Sequence, residues 1–176
     1  PDYSSAASDV YKRQGYSTAD DLTIATSGST GITLRSGTSS EGTLYFADGT
    51  SSTAQYSGII AYNHGDNSMR FATNNGTERL RIDSSGRLLL GTTTEGYSTG
   101  DRLTIASNGH TGMTIRSGTS SGGNIFFSDG TSGDDEIRGV VSYDHTNNFM
   151  RFYTNAAERL RITSGGTVNI GGDYSN

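Results

Sequence analysis

The chain has 176 residues, among them 25 glycines, 25 serines and 24 threonines, and a formal net charge of −5. It has no cysteine and no apolar run approaching the ~20 residues that span a bilayer, which excludes a disulfide framework, a thiolate metal site and a transmembrane helix. The acidic balance lacks the basic footprint of a nucleic-acid binder, and no charged segment followed by an apolar run opens the sequence as a signal peptide would.

Leu, Ile, Val and Phe together supply 30 residues. So little apolar material means either a flexible polar linker or a fold that needs little core per chain. Residues 1–14 hold the only Pro (Pro1) and the only Lys (Lys12). Ser8-Asp9-Val10-Tyr11-Lys12-Arg13-Gln14 resembles a translated sequencing-adapter remnant, with a natural linker as the alternative. This head is set aside from fold reasoning and expected to have low order.

From residue 15 the chain repeats itself. Gly15-Tyr16-Ser17-Thr18 recurs as Gly96-Tyr97-Ser98-Thr99, and Leu22-Thr23-Ile24-Ala25 as Leu103-Thr104-Ile105-Ala106. Arg35–Ser40 recurs as Arg116–Ser121, Asp48–Ser51 as Asp129–Ser132, Met69–Phe71 as Met150–Phe152, and Glu78–Ile82 as Glu158–Ile162. The offset is 81 until Asn74/Asn155 and 80 afterwards, so one residue is missing from the turn Asn74-Asn75-Gly76 in the second repeat. The domains are therefore 15–95 and 96–172, with 173–176 as the start of a truncated third repeat.

Within each repeat the apolar residues alternate. Leu22/Ile24, Ile32/Leu34, Leu44/Phe46, Ile60/Tyr62, Met69/Phe71, Leu80/Ile82 and Leu88/Leu90 are all i, i+2 pairs, the period of half-buried strands. Arg79 and Arg81 are expected to share the opposite sheet face. Ser27-Gly28, Asp48-Gly49, Asn75-Gly76, Ser85-Gly86 and Asn108-Gly109 read as turns, and His64–Asn67 as a hairpin loop. The fold class is all-β: two tandem repeats of about 80 residues, about seven short antiparallel strands each, with looser loops at 50–57 and 131–138. Each strand offers about two inward side chains, so burial shared between chains is the expected solution, and an assembly also covers open edges.

Several residues invite a chemical reading. His64 and His145 occupy matching places, with His110 alone, but none has a second ligand at metal-site spacing; a turn histidine bonded to its own loop is expected. Asp134-Asp135-Glu136 is the densest acidic cluster, yet it lacks the spacing of a calcium loop and its counterpart Thr53-Ala54-Gln55 has no carboxylate. Asp48 and Asp129 read as turn residues, and Glu78 and Glu158 are not placed near them as paired catalytic carboxylates. Arg35/Arg116, Arg70/Arg151, Arg79/Arg159 and Arg81/Arg161 could meet anionic sugars, but cross-strand pairing and stem packing are expected. Tyr16, Tyr45, Tyr62, Tyr97 and Tyr143 are read as sheet or interface aromatics rather than glycan platforms. Asn75-Gly76-Thr77 matches a glycosylation acceptor. Thr23, Thr33, Thr43 and Thr53 are evenly spaced, as in an ice-binding rank, but have unlike neighbours. No catalytic, cofactor-binding or metal residue is assigned, no cofactor is expected, and the chain is not read as an enzyme.

Met150-Arg151-Phe152-Tyr153-Thr154-Asn155 followed by Glu158-Arg159-Leu160-Arg161-Ile162 resembles a repeat common in bacteriophage tail fibres and related virion appendages. Glu78–Thr92, Asn124–Thr131 and Val141–His145 belong to the same pattern, and the similarity covers about residues 15–172. The resemblance implies a β-rich stalk in a long virion protein, usually a parallel homotrimer. Its partners would be other virion tail proteins and a host surface polysaccharide or receptor. Such proteins often end in an endosialidase-type intramolecular chaperone that cuts itself off. That domain has no counterpart in this sequence, so no autoproteolytic Ser-Lys pair is carried over. In the family Gly91-Thr92 would often lead to a Pro-containing linker, whereas here Thr93-Thr94-Glu95 leads directly into the next repeat. The function expected is a structural segment that spaces or presents a host-attachment site on the virion. The alternatives are a bacterial surface adhesin or secreted glycan-binding repeat protein, and a fibre-borne polysaccharide depolymerase.

Overall fold

A computed structural model describes residue 24 and residues 27–171. The head at 1–14, Tyr16, Leu22, Thr23 and the tail at 173–176 lie outside the described residues. The chain divides into two compact units between Thr111 and Gly112. Both are all-β, as the alternation predicts.

The first unit is one six-stranded sheet in the order β1-β2-β3-β4-β5-β6. Its strands are β1 (Glu41–Phe46), β2 (Gly58–Asn63), β3 (Ser68–Thr73), β4 (Thr77–Ile82), β5 (Leu88–Leu90) and β6 (Leu103–Ile105). Antiparallel hairpins join β1 through β5. Their loops use residues that tolerate left-handed backbone: Asn67, then Asn74, Asn75 and Gly76 in succession, then Gly86. β6 departs from the antiparallel expectation. It lies parallel to β5, reached by a crossover over residues 91–102, about the length a parallel connection requires. Strand β6 belongs by sequence to the second repeat and by pairing to the first sheet.

The second unit is a five-stranded sheet in the order β11-β10-β9-β8-β7. These strands are β7 (Gly122–Phe127), β8 (Gly139–Asp144), β9 (Phe149–Thr154), β10 (Ala157–Ile162) and β11 (Val168–Ile170), all antiparallel. The missing residue shortens the loop between β9 and β10 to Asn155-Ala156. The register survives: Glu158 faces Tyr153 as Glu78 faces Ala72.

Of the about seven strands expected per repeat, the described residues hold five in the first and six in the second. Ile32/Leu34 and Met113/Ile115 alternate like strands but join no ladder. They run beside the face of β1 and β7 at a glycine. A Cβ on Gly42 would stand 3.5 Å from the Leu34 carbonyl oxygen, and one on Gly123 3.3 Å from an Ile115 methyl. The glycine leaves a notch for backbone or side chain where the sheet would otherwise carry its own residue. Ile24, the described half of Leu22/Ile24, is also outside any strand. The loops at 50–57 and 131–138 contain 3-10 helices, Ser52–Tyr56 and Gly133–Ile137.

A bulge interrupts β4 and β10 at Arg79 and Arg159. It corrects the expectation that Arg79 and Arg81 share a face. One extra residue shifts the side-chain parity, so Glu78 joins Arg81 on one face while Arg79 Nε reaches Thr73 Oγ1 at 3.2 Å. Thr73 follows Phe71 by two residues, on the other face.

Candidate functional site

The strand register sorts each sheet into two unlike faces. On one face of the first sheet, Leu44, Ile60, Phe71, Leu80, Leu90 and Ile105 stand opposite one another in turn, forming an apolar row across all six strands. Gly42, Tyr62, Met69, Ile82, Leu88 and Leu103 form a second row beside it. The second sheet repeats this with Ile125, Val141, Phe152, Leu160 and Ile170, and with Gly123, Tyr143, Met150, Ile162 and Val168. Much of this face is open: Leu44, Ile82, Leu90, Ile125, Ile162 and Ile170 are all exposed.

Each apolar face carries the same shallow hollow. Leu34, Leu44, Ile60, Tyr62 and Met69 line it in the first unit, and Ile115, Ile125, Val141, Tyr143 and Met150 in the second. His64 and His145 stand at its rim. Each ring meets the neighbouring tyrosine edge-on, with centroids 4.9 Å apart. Each backbone N–H donates to a serine carbonyl, His64 to Ser40 and His145 to Ser121, at 3.0 Å. The tyrosine hydroxyls donate to the loop asparagines Asn67 and Asn148 at 3.2 Å.

The opposite face carries the charges, which pair within the sheet, beside a shorter row of Tyr45, Ile59 and Ala72 in the first sheet and of Phe126, Val140 and Tyr153 in the second. Arg70 meets Glu41 and lies 3.7 Å from Glu78. Arg81 donates to Glu78 through Nε and Nη2, both at 2.8 Å, and to Asp66 at 2.8 Å. In the second sheet Arg151 lies 3.3 Å from Asp144, and Arg161 grips Glu158 at 2.6 and 3.0 Å. Arg161 also lies over the Phe149 ring at 4.8 Å. Two of the most buried side chains sit on this charged face: Ala61 and Leu89 are each 1% exposed and stand opposite Arg70 and Arg81 in the strand register.

The electrostatics follow from these contacts. The Ser68 hydroxyl, with Arg81, holds the Asp66 carboxyl below its usual range against the opposing effect of desolvation. Hydrogen bonds to Glu78 first, then Asp66, raise Arg81. Asp83 is held low by the N–H of Arg87 and then by its guanidinium, which in turn is raised by Asp83 and Asp101. For Asp144, desolvation opposes ionisation, but the N–H groups of Asn147 and Thr146 outweigh it and lower the carboxyl. Burial pushes Tyr153 up.

The remaining candidates resolve into local structure. Asp134-Asp135-Glu136 lies in the 3-10 helix Gly133–Ile137, where Asp135 pairs with Arg138. Asp129 also meets Arg138, at 3.3 Å, as Asp48 accepts from the Ser57 hydroxyl at 2.8 Å. Asp48 and Asp129 thus clamp matching loops, and Glu78 and Glu158 are engaged on the polar face. No group of three His, Cys, Asp or Glu residues that could hold a metal occurs among the described residues. Tyr45 and Tyr97 are exposed, as are Arg35, Arg116 and His110. Asn75-Gly76-Thr77 spans the end of the β3–β4 loop and the start of β4. Thr33, Thr43 and Thr53 fall on an extended segment, a strand and a 3-10 helix, so they form no rank.

Sequence reading missed two features. The first is the continuity of the apolar rows, which depends on register rather than composition. The second is a cluster at the junction of the repeats. Arg87 donates to Asp83 at 2.7 Å and to Asp101 at 3.0 Å, and Asp101 is only 8% exposed. Asp83-Ser84-Ser85-Gly86-Arg87 is a legible turn, but Asp101 joins it only once β6 has paired. No protein-family model matches the chain, and neither a curated protein nor a solved structure shows significant similarity to it.

Proposed function

We propose that this chain is a structural segment of a bacteriophage tail fibre or a similar virion appendage. In this reading it is a homotrimer whose chains cover one another's apolar sheet faces, and it spaces or presents a host-attachment site. The observation that carries the reading is the pair of apolar rows, present in both sheets at matching positions on one face. Extended apolar surface of this kind marks an interaction site, and each large side chain taken from water contributes about 1.5–3 kcal/mol. Two further features support a structural role: the charges of the opposite face pair within the sheet, and the matching residues of the two repeats serve the fold. The resemblance to tail-fibre repeats supplies the setting.

The test is the solution mass of the chain by light scattering through a dilution series. Three chains per particle is the expected result. A folded particle of one chain at every concentration overturns the trimeric stalk.

A further inference from the structure

The sequence contains two Asn-Gly pairs, Asn75-Gly76 and Asn108-Gly109. Such a pair is chemically unstable in water. The glycine nitrogen attacks the side-chain carbonyl carbon of the asparagine, and glycine alone has no Cβ to shield that nitrogen. Whether the attack takes place depends on the backbone around the pair, and the fold gives these two pairs unlike surroundings.

Asn75-Gly76 is held from several sides. It closes the hairpin between β3 and β4 with both residues left-handed, at φ 62° and 81°. Asn75 N–H donates to the Ser57 carbonyl at 3.3 Å, and the Thr77 hydroxyl donates to the Asn74 carbonyl at 3.1 Å. Gly76 is half-buried, and a Cβ there would stand 3.4 Å from the Tyr56 ring. The attack closes a five-membered ring, which turns the asparagine ψ far from its left-handed value of about +47°. Reaching that geometry would open the turn and the β3–β4 pairing beside it.

Asn108-Gly109 has no such frame. Ala106 N–H ties the end of β6 to the Leu90 carbonyl at 3.0 Å. Residues 107–111 then belong to no strand or helix and are all exposed. Neither residue of the pair is left-handed, and a Cβ on Gly109 would meet nothing within 4 Å. The Gly109 N–H donates to the Ser107 hydroxyl at 3.3 Å, and that oxygen lies 2.8 Å from the Thr111 hydroxyl. The proton of the attacking nitrogen thus faces an exposed pair of hydroxyls that pass it to water.

We propose that Asn108 is a self-modifying site, converted in the folded chain to aspartate and isoaspartate, while the hairpin protects Asn75. The only co-reactant is water. The Gly109 nitrogen gives up its proton and bonds to Cγ of Asn108. The Cγ–Nδ2 bond breaks, and ammonia leaves with a proton in exchange. Water then opens the cyclic imide. Opening at Cγ gives aspartate, and opening at the main-chain carbonyl carbon gives isoaspartate. Both products add a negative charge, and isoaspartate lengthens the main chain by a methylene. The change falls just before the boundary between the two compact units at Thr111 and Gly112. The first repeat has Ser27-Gly28 at the matching place, so the site belongs to the junction. The proposal rests neither on the virion reading nor on a trimer.

The test is a timed incubation of the full chain in neutral buffer. Peptide masses give the conversion at each asparagine, and resistance to an aspartate-directed protease tells isoaspartate from aspartate. Conversion several-fold faster at Asn108 than at Asn75 is expected, with isoaspartate among the products. In concentrated guanidinium the Asn75 rate should rise several-fold towards that of Asn108, because the hairpin is gone. Gly109→Ala, whose methyl enters open space, should slow conversion at Asn108 several-fold by shielding the nitrogen. Equal rates at the two sites in the folded chain overturn the proposal, as does a preference that persists unchanged in guanidinium. Aspartate without isoaspartate, or indifference to Gly109→Ala, excludes attack by the Gly109 nitrogen and overturns it as well.

Discussion

Asn155 and Ala156 hold φ at 51° and 57° in the two-residue loop between β9 and β10. A loop of this length needs both residues left-handed to match the twist of its strands. Asparagine tolerates that conformation, whereas alanine carries a penalty of roughly 1–2 kcal/mol. Part of the relief on substitution is offset by the greater freedom of glycine in the unfolded chain. Ala156→Gly is therefore expected to stabilise the second unit by about 0.5–1 kcal/mol. The check is a urea titration, in which the midpoint rises at unchanged slope; an unchanged or lower midpoint contradicts the account. The missing residue and the left-handed Asn75-Gly76 turn were both legible in the sequence. The inheritance of a left-handed angle by Ala156 was not, because it follows from conserving register after the deletion. Gly42 and Gly123 show the same limit. As letters they read as strand glycines. Only the path of Leu34 and Ile115 beside them shows what a side chain there would meet.

Among the elements, those rich in period-two alternation were legible where a hairpin partner lay next in sequence, as for Ile60/Tyr62 with Met69/Phe71. Alternation misled at Ile32/Leu34, where the apolar pair lies beside the sheet face instead of joining an edge. It also misled at Arg79, because a bulge resets the parity that alternation assumes. The candidate interaction face was legible only as a list of apolar residues. Its form as two uninterrupted rows required the register. That form makes a sharp prediction, since neighbouring residues of β1 belong to opposite faces. Leu44 lies in an exposed apolar row, and Thr43 lies opposite Ala61 in line with Arg70. Leu44→Glu places an unpaired carboxylate in the proposed chain–chain contact, at a cost of about 3–5 kcal/mol per buried charge. Thr43→Glu adds the same charge on the polar face. The expected outcome is loss of the three-chain mass for Leu44→Glu and its retention for Thr43→Glu, with both variants keeping β-type circular dichroism. Equal loss or equal retention would separate the apolar rows from assembly.

At the scale of the whole molecule, a tandem repeat must continue one sheet into the next stretch of sequence without leaving a ragged edge. The chain does this by giving β6 of the second repeat to the first sheet, and Arg87 holds that strand through Asp101 while Asp83 orients the guanidinium. Thr163 and Thr167 stand at the matching places of the second repeat, so the cluster belongs to this junction. Arg87→Thr is expected to leave the Asp101 carboxylate without its cation and to loosen β6 selectively. Amide exchange should accelerate at Ala106, which closes the ladder onto Leu90, while the β2–β3 ladder keeps its protection. Uniform acceleration in both places would mean that the cluster supports the sheet as a whole. Acid supplies the same test in the native chain. Asp83 is held below its ordinary value by the Arg87 N–H and guanidinium. A folded pKa below the unfolded one gives stability that is complete above about pH 4 and is lost as pH falls through the lower folded value. Protection at Ala106, corrected for intrinsic exchange, should therefore decline below about pH 4, and the Asp83→Asn variant should lack the part of that decline due to Asp83. A decline of equal depth in Asp83→Asn would assign the acid sensitivity to other carboxylates, with Asp66 on the polar face the next to examine, since Ser68 and Arg81 hold it low in the same way.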